Sequence, residues 1–446
     1  MTDQSGAASS TAGQDGPGLR RLTTRETAER LGVKPETVYA YVSRGQLSSN
    51  RAPGGRGSTF DAREVEALAR RTGRREHAAP SGEPAFPTGI TLIERDAYYF
   101  RGVDATELAR NHAYEEIAEW LWTGTLRPGI RFTAPADARA AARRAVAALP
   151  PHSGSTDRLR VAVVAAATTD PLRFDLSREA VLGGARSLIP TLVAALPAIG
   201  EEAPAAAEDG VPPGLARELW PKLTRRPADE ASLAVLDTAL GLLIDHDLAA
   251  STLAARVAAS ARAHPYAVVS AGLGVLEGPL HGAASGLAHR MLAEALERGG
   301  AAPVVADHLR TGRRVPGLGH RLYTGEDPRA GTLFRLLERV PEAAPALNAA
   351  RDVVTTATRH MPLHANVDLA LAVLSVSSGM AAEAGETVFA VARTAGWIAH
   401  ALEEYGEHPL RMRPSGQYTG PRPPQPLPSA DGSQSAGPDR TETSPQ

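Results

Sequence analysis

A chain of 446 residues, 43% hydrophobic and 22% charged, is long enough for two or more domains with a sizeable core and has the composition of a soluble globular protein. Its formal net charge of −2 argues against chain-wide binding to nucleic acid or membrane, and the absence of cysteine excludes disulfides, thiolate metal sites and a cysteine nucleophile. The N-terminus lacks the basic start and apolar run of a signal peptide, and no apolar stretch approaches the ~20 residues of a membrane helix, so a cytoplasmic protein without membrane contact is expected.

Residues 1–18 are mostly Gly, Ser, Ala, Thr and Gln and are expected to be disordered. Residues 19–75 form a basic segment, with 13 Lys/Arg against 6 Asp/Glu between 20 and 75. There Thr24 is the expected cap of a helix through Glu26, Ala28 and Leu31. Gly32-Val33 supplies a turn, and Pro35 at a first helical position opens a second helix through Val38, Tyr41 and Val42 that ends at Gly45. A glycine-rich basic hairpin, Arg51 to Phe60, leads to a third helix from Asp61 through Val65 and Leu68. The segment resembles the winged helix-turn-helix modules of the MerR and excisionase type. That resemblance implies that Lys34, Thr37, Tyr39 and Arg44 face DNA, with Arg51 and Arg56 on the wing. A helical docking module with a solvated basic face is the alternative.

Residues 76–86 read as a linker. Thr91-Leu92-Ile93 is a short strand leading to Ala97–Gly102. After it the pattern is helical: Ala105–Thr123, with Leu108, Tyr114, Ile117 and Leu121 on its apolar side, then runs near 135–149, 177–198, 230–262, 283–298, 346–358, 367–384 and 387–405. The acidic, Pro- and Ala-rich stretch 200–214 is an expected exposed loop. The Pro-rich tail 414–446 is expected to be mostly disordered.

Four segments of the second half carry chemistry. His246 lies in Leu243-Ile-Asp-His-Asp. His281 lies in Gly-Pro-Leu-His-Gly, where a loop feeds a helix whose N-terminus disfavours imidazolium, leaving a neutral donor. His320 follows Val315-Pro-Gly-Leu-Gly and precedes Asp327-Pro-Arg329; Gly317 and Gly319 allow close approach of backbone to a ligand. Asp368 follows Asn366-Val in the first turn of a helix. Arg393 shares a helix stripe with Phe389, Trp397 and His400, and a buried arginine usually has an anionic partner. Arg413 lies beyond that helix. Taken singly, each has a structural alternative: a histidine near a helix start, a helix-start Asp-Pro, a carboxylate favoured by the helix dipole, an arginine in a salt bridge.

Together, GPLHG, PGLGHRLY…DPRA, NVD and FAVARTAGWIAH, in this order over roughly residues 90–420, resemble the citrate synthase family. The resemblance implies a mainly α protein, the citrate synthase fold with large and small helical domains, here preceded by the winged module. The large domain would comprise 87–282 and 386–413 and the small one 283–385. It implies a homodimer that condenses acetyl-CoA with oxaloacetate and hydrolyses the product to citrate and CoA. Asp368 would remove the α-proton, His281 would donate to the thioester oxygen and His320 would polarise the ketone. His246, Arg329, Arg393 and the partner subunit's Arg413 would hold the carboxylates, and Val315, Pro316, Gly317, Leu318 and Gly319 would contact CoA. No metal or other cofactor is implied. Leu243, Ala283, Thr324 and Ala365 depart from the family pattern, which keeps 2-methylcitrate synthesis from propionyl-CoA open. A DNA-binding regulator that uses the synthase body as a sensor is the alternative of another class; the intact Asp368, His281 and His320 favour the enzyme.

Overall fold

The computed structural model describes residues 21–425 apart from 32, 44–45, 52–57, 66–67, 69–85, 95, 203–211, 279–280 and 360–361. These fall into two compact units, within Met1–Pro87 and within Thr88–Gln446. The expected disorder of 1–18, the linker 76–86 save its last residue, most of the loop 200–214 and the tail beyond 425 lie outside the described residues. So do Arg44, Arg56 and the side chain of Arg51.

In the first unit, helices Thr24–Leu31 and Pro35–Ser43 pack beside a three-stranded antiparallel sheet of Arg21–Thr23, Ser58–Asp61 and Ser49–Arg51, in that spatial order. The helix cap is Thr23 rather than the expected Thr24. Glu26 Oε2 accepts from the Thr23 backbone N–H at 2.8 Å while Thr23 Oγ1 accepts from Glu26 N–H at 3.3 Å, a reciprocal capping box. Thr24 is the first helical residue instead. Ala28, Leu31, Val38, Leu47, Phe60, Val65 and Leu68 form a small core of their own. Lys34 is exposed, Thr37 half-buried, and Tyr39 is 49% exposed with its hydroxyl 3.3 Å from Thr24 Oγ1.

In the second unit, strands Thr91–Glu94, Ala97–Phe100 and Val103–Asp104 form an antiparallel sheet. Among the described residues after it, the regular elements are helices joined by loops, on one continuous apolar core. Three expected runs are interrupted, and the interruptions matter. Ala105–Thr123 is two helices, Ala105–Asn111 and Tyr114–Thr123, because His112 and Ala113 are extended and the Asp237 carboxylate accepts from Tyr114 N–H at 3.4 Å. The run 230–262 is split into Glu230–Leu243 and Ala250–Ser260 by a segment in which Asp247 has a positive φ of 58°. The helix begun at Val367 stops at Ser377, because Gly379 turns the chain in the left-handed region and Met380 N–H closes back on Ser375 O at 2.8 Å. Helices Ser155–Thr169, Leu215–Leu223, Pro265–Leu276, Ala301–Arg310 and Pro328–Leu337 complete the body, with Ala384–Gly406 running through it as its longest.

The split at 244–249 brings irregular backbone against the middle of that longest helix. At Gly396 a Cβ would lie 2.0 Å from Ile244 O, so only glycine admits this approach. Among the described residues no helix is long and apolar enough to cross a membrane.

Candidate active site

Asp368 sits in the first turn of Val367–Ser377, whose N-cap Asn366 accepts from Asp368 N–H at 3.0 Å. The same Asn366 donates through Nδ2 to Gly319 O at 2.9 Å, and its N–H donates to Gly317 O at 3.0 Å. Gly319 N–H in turn donates to His364 O at 2.8 Å, so the loop Val315–Gly319 is laced antiparallel to 364–366. Gly317 is required twice over: its φ is +78°, and a Cβ there would lie 2.8 Å from Leu369 Cβ. Val315 is buried beneath this loop.

The next element is Pro328–Leu337, capped by Asp327. Asp327 accepts from Arg329 Nε at 3.0 Å and Nη2 at 2.8 Å, and its Oδ2 also accepts from Val367 N–H at 3.0 Å. Both partners are buried. Burial opposes the Arg329 charge, but Asp327 holds its pKa above the ordinary arginine value.

His320 accepts from Leu322 N–H at Nδ1, 3.0 Å, so its proton is on Nε2. Arg329 Nη2 lies 3.4 Å from that same Nε2. Two donors facing each other converge on a place for an acceptor atom. The His246 ring packs edge-on to His320 at 5.1 Å, and its Nε2 shares a 2.7 Å hydrogen bond with Tyr323 Oη. Burial, then Arg329, lowers the His320 pKa to about 4; burial with Arg329 and Arg393 puts His246 well below its ordinary value. Both rings are neutral at physiological pH.

Arg393 is buried in the Ala384–Gly406 helix, with its guanidinium over Phe389 at 4.6 Å. Its Nε donates to Leu243 O at 2.9 Å, while Nη1 and Nη2 are buried without any hydrogen-bond partner among the described residues. Burial lowers its pKa to about 10, with the charge of Asp245 opposing. A charged fork with two unpartnered nitrogens in a buried setting has the geometry to receive a carboxylate.

Asp245 lies deeper. It accepts from Thr91 Oγ1 at 2.6 Å and contacts His400 Nε2 at 3.2 Å. Arg256 Nη1 donates to His400 Nδ1 at 2.7 Å, which leaves the Nε2 proton for Asp245. Burial alone would raise the Asp245 pKa, yet His400 and Arg393 hold it below the ordinary carboxylate value. Arg256 continues to Glu404 at 2.7 Å, so a chain of buried polar groups stands behind the site.

His281 lies just before Ala284–Glu297, its Nε2 2.8 Å from Ser251 Oγ, with its ring edge-on to Phe389 at 5.9 Å. Burial, then Arg393, lowers its pKa to about 4. A Ser251 hydroxyl that donates to Nε2 leaves the imidazole proton on Nδ1, a neutral donor. Asp368 has the opposite shift: burial raises its pKa to about 6, against the pull of Arg329.

The side chains His246, His320, Arg329 and Asp368 thus share one electrostatic neighbourhood, and Arg393 links it to His281. Arg413 is not brought to it within one chain: it is exposed beyond the last helix. Tyr323, Asp245 and Asp327 lie inside the quoted motifs, but nothing local in those motifs names their partners; Ser251 lies outside every motif.

These features define a site for a small polyanion, flanked by a carboxylate of raised basicity and a neutral imidazole donor. The sequence matches the family model described as citrate synthase, C-terminal domain, over residues 79–415, and a helix-turn-helix domain model over 21–73. A citrate synthase of Haloferax volcanii is 31% identical over 356 residues, covering 74% of this chain and 92% of the relative. Citrate synthase 2 of Bacillus subtilis is 30% identical over 360 residues, covering 76% and 95%. The crystal structure of citrate synthase from Thermotoga maritima is similar with a TM-score of 0.61 at 25% identity, covering 79% of this chain and 98% of that one. The chain belongs to the citrate synthase family, and a helix-turn-helix domain precedes the synthase body in its sequence.

Proposed function

We propose that the chain condenses acetyl-CoA with oxaloacetate, and that the orphaned, buried guanidinium of Arg393 beside Arg329 is the observation that carries this reading. Oxaloacetate offers two carboxylates and a ketone. Arg393, Arg329 and His246 hold the carboxylates, and His320 Nε2–H donates to the ketone oxygen. Asp368 removes the α-proton of the thioester while His281 Nδ1–H stabilises the enolate oxygen. The nucleophilic carbon then attacks the polarised ketone carbon, and water cleaves the thioester to citrate and free CoA. The loop Val315–Gly319 contacts CoA. We assign 87–282 and 386–413 to a large domain and 283–385 to a small one, whose closure excludes water until condensation is complete.

We read the assembly as a homodimer. Val164, Leu253, Val257 and Val275 are 58%, 37%, 45% and 37% exposed on Ser155–Thr169, Ala250–Ser260 and Pro265–Leu276, the last of which packs against both others, and Arg413 is exposed beyond the last helix. Mixing R413A with D368A subunits tests this: restored turnover in the hybrid supports a shared site, and none opposes it.

The experiment for the main reading is thiol release from acetyl-CoA and from propionyl-CoA, with and without oxaloacetate, in the wild type and in D368A. Oxaloacetate-dependent release that collapses in the variant supports the enzyme, and the faster thioester names the substrate. Folded protein inert toward both would overturn it.

A second role rests on the helix-turn-helix unit, with its excess of positive charge and the exposed Lys34 and Tyr39 around the second helix. We propose that it binds DNA, two copies being presented by the dimer. Removal of residues 1–76 should leave turnover intact and abolish salt-sensitive retention on duplex DNA; equal retention without the module would refute the role.

A further inference from the structure

We infer that Asp96, at the turn of the hairpin between Thr91–Glu94 and Ala97–Phe100, is a positioning residue that fastens the loop joining His320 to Asp327. The inference rests on the reading of the site as an oxaloacetate-binding one.

The loop 321–326 has no helix or strand, and it holds one site group at each end: His320 before it, the Asp327–Arg329 pair after it. Two distant side chains grip it. His246 Nε2 meets Tyr323 Oη at 2.7 Å from within the site. From the outer side, the Asp96 carboxylate accepts from Thr324 N–H at 2.8 Å and from Thr324 Oγ1 at 3.1 and 3.3 Å. Backbone N–H groups of Thr324, then Gly325, hold the Asp96 pKa below its ordinary value, so the acceptor is ionised at neutral pH. The hairpin is 228 residues away in sequence from the loop it holds.

The backbone of Asp96 is shaped for this role. Its φ is +62°, a conformation costly for most residues but tolerated by Asp and Asn. Gly325 is closely fitted: a Cβ there would lie 3.1 Å from Asp96 Oδ2. Without the carboxylate, the outer grip on Thr324 and Gly325 is gone, while the inner contact of Tyr323 with His246 remains. His320 and Arg329 would then sample poses too loose to share one oxaloacetate molecule, a cost paid chiefly in that substrate's affinity and orientation.

The variants separate geometry from charge. Asp96→Gly deletes the carboxylate and relieves the backbone; Asp96→Asn keeps the left-handed turn and one acceptor oxygen. In the full-length protein, D96G should raise KM for oxaloacetate about tenfold and lower kcat by a similar factor, with KM for acetyl-CoA unchanged, whereas D96N should stay within about threefold of wild type. A second readout needs no turnover: trypsin cleavage after the exposed Arg321 should be about tenfold faster in D96G than in wild type and near wild type in D96N. An oxaloacetate KM in D96G equal to wild type, or Arg321 cleavage unchanged, overturns the inference. So does an equal loss in D96N and D96G with lowered thermal stability, which would mean a merely structural turn. Should wild type itself release no thiol, the activity reading fails while the cleavage comparison still decides the role of Asp96.

Discussion

Asp327 grips Arg329 with both carboxylate oxygens and, through Oδ2, also accepts from the backbone N–H of Val367, 40 residues further along the chain. One buried carboxylate therefore fixes Arg329, proposed to bind substrate, and the start of the helix that carries Asp368. Asp327→Asn removes the charge that Arg329 needs in a buried setting. Breaking such a pair from one side costs about 3–5 kcal/mol. The expected outcome is a fall of several degrees in melting temperature together with a raised KM for oxaloacetate. A variant with wild-type stability would show that the pair is not holding these two segments.

The raised pKa of Asp368, about 6, fixes the sign of a pH dependence. As the proposed base, Asp368 works only when ionised. kcat/KM for acetyl-CoA should therefore be flat above pH about 7 and fall as pH drops through 6, approaching tenfold per pH unit. The neutral histidines, His281 and His320 with pKa values of about 4, stay neutral over this range and add no second limb. Activity that stays flat through pH 6 would refute the raised pKa of Asp368.

Arg393 offers a prediction in which activity and stability part company. Its Nη1 and Nη2 have no hydrogen-bond partner among the described residues, so Arg393→Met removes a buried, under-satisfied charge. Melting temperature should change little, because relief of that charge is offset by the lost bond to Leu243 O and the lost support of the Asp245 carboxylate. Losing a two-nitrogen grip on a carboxylate is worth about 3 kcal/mol, so KM for oxaloacetate should rise about 100-fold. A variant that loses stability while keeping its KM would make Arg393 a structural residue.

Glu115 is buried beside Asp237, and burial followed by the Asp237 charge raises its pKa from 4.5 to about 7. The folded state therefore binds this proton more tightly than the unfolded chain does. That contribution to stability is complete below pH 4.5 and is lost as pH rises to about 7. Glu115→Gln should match wild type near pH 5 and be more stable by roughly 1–3 kcal/mol above pH 7, as read from denaturant midpoints at both pH values. A pH-independent difference would contradict the raised pKa.

What the sequence made legible and what it hid divide along sequence separation. Helix propensity, caps and glycine punctuation place most helices, and compact motifs locate His281, His320, Arg329, Asp368 and Arg393 within a few residues of their signals. Ser251 is hidden because its partner His281 lies 30 residues away, and Thr91 because Asp245 lies 154 away. No local pattern encodes such pairs. The break within 230–262 falls at Asp245-His246-Asp247, poor helix formers set in an otherwise Ala- and Leu-rich run, and the buried carboxylate of Asp245, satisfied by Thr91 and His400, compensates for leaving the helix there. Thr23 and Thr24 differ in no intrinsic preference; only the position of Glu26 three residues on decides which of them caps.

Gly396 has no chemistry to contribute, yet the carbonyl of Ile244 rests where its side chain would be. Even a methyl group there would displace the strand of chain that presents Leu243 O to Arg393 and carries His246. A saturation library scored by growth on turnover should thus find position 396 as intolerant as the arginine three residues before it, and for the opposite reason. There the enzyme depends on an atom being present; here it depends on an atom never being added.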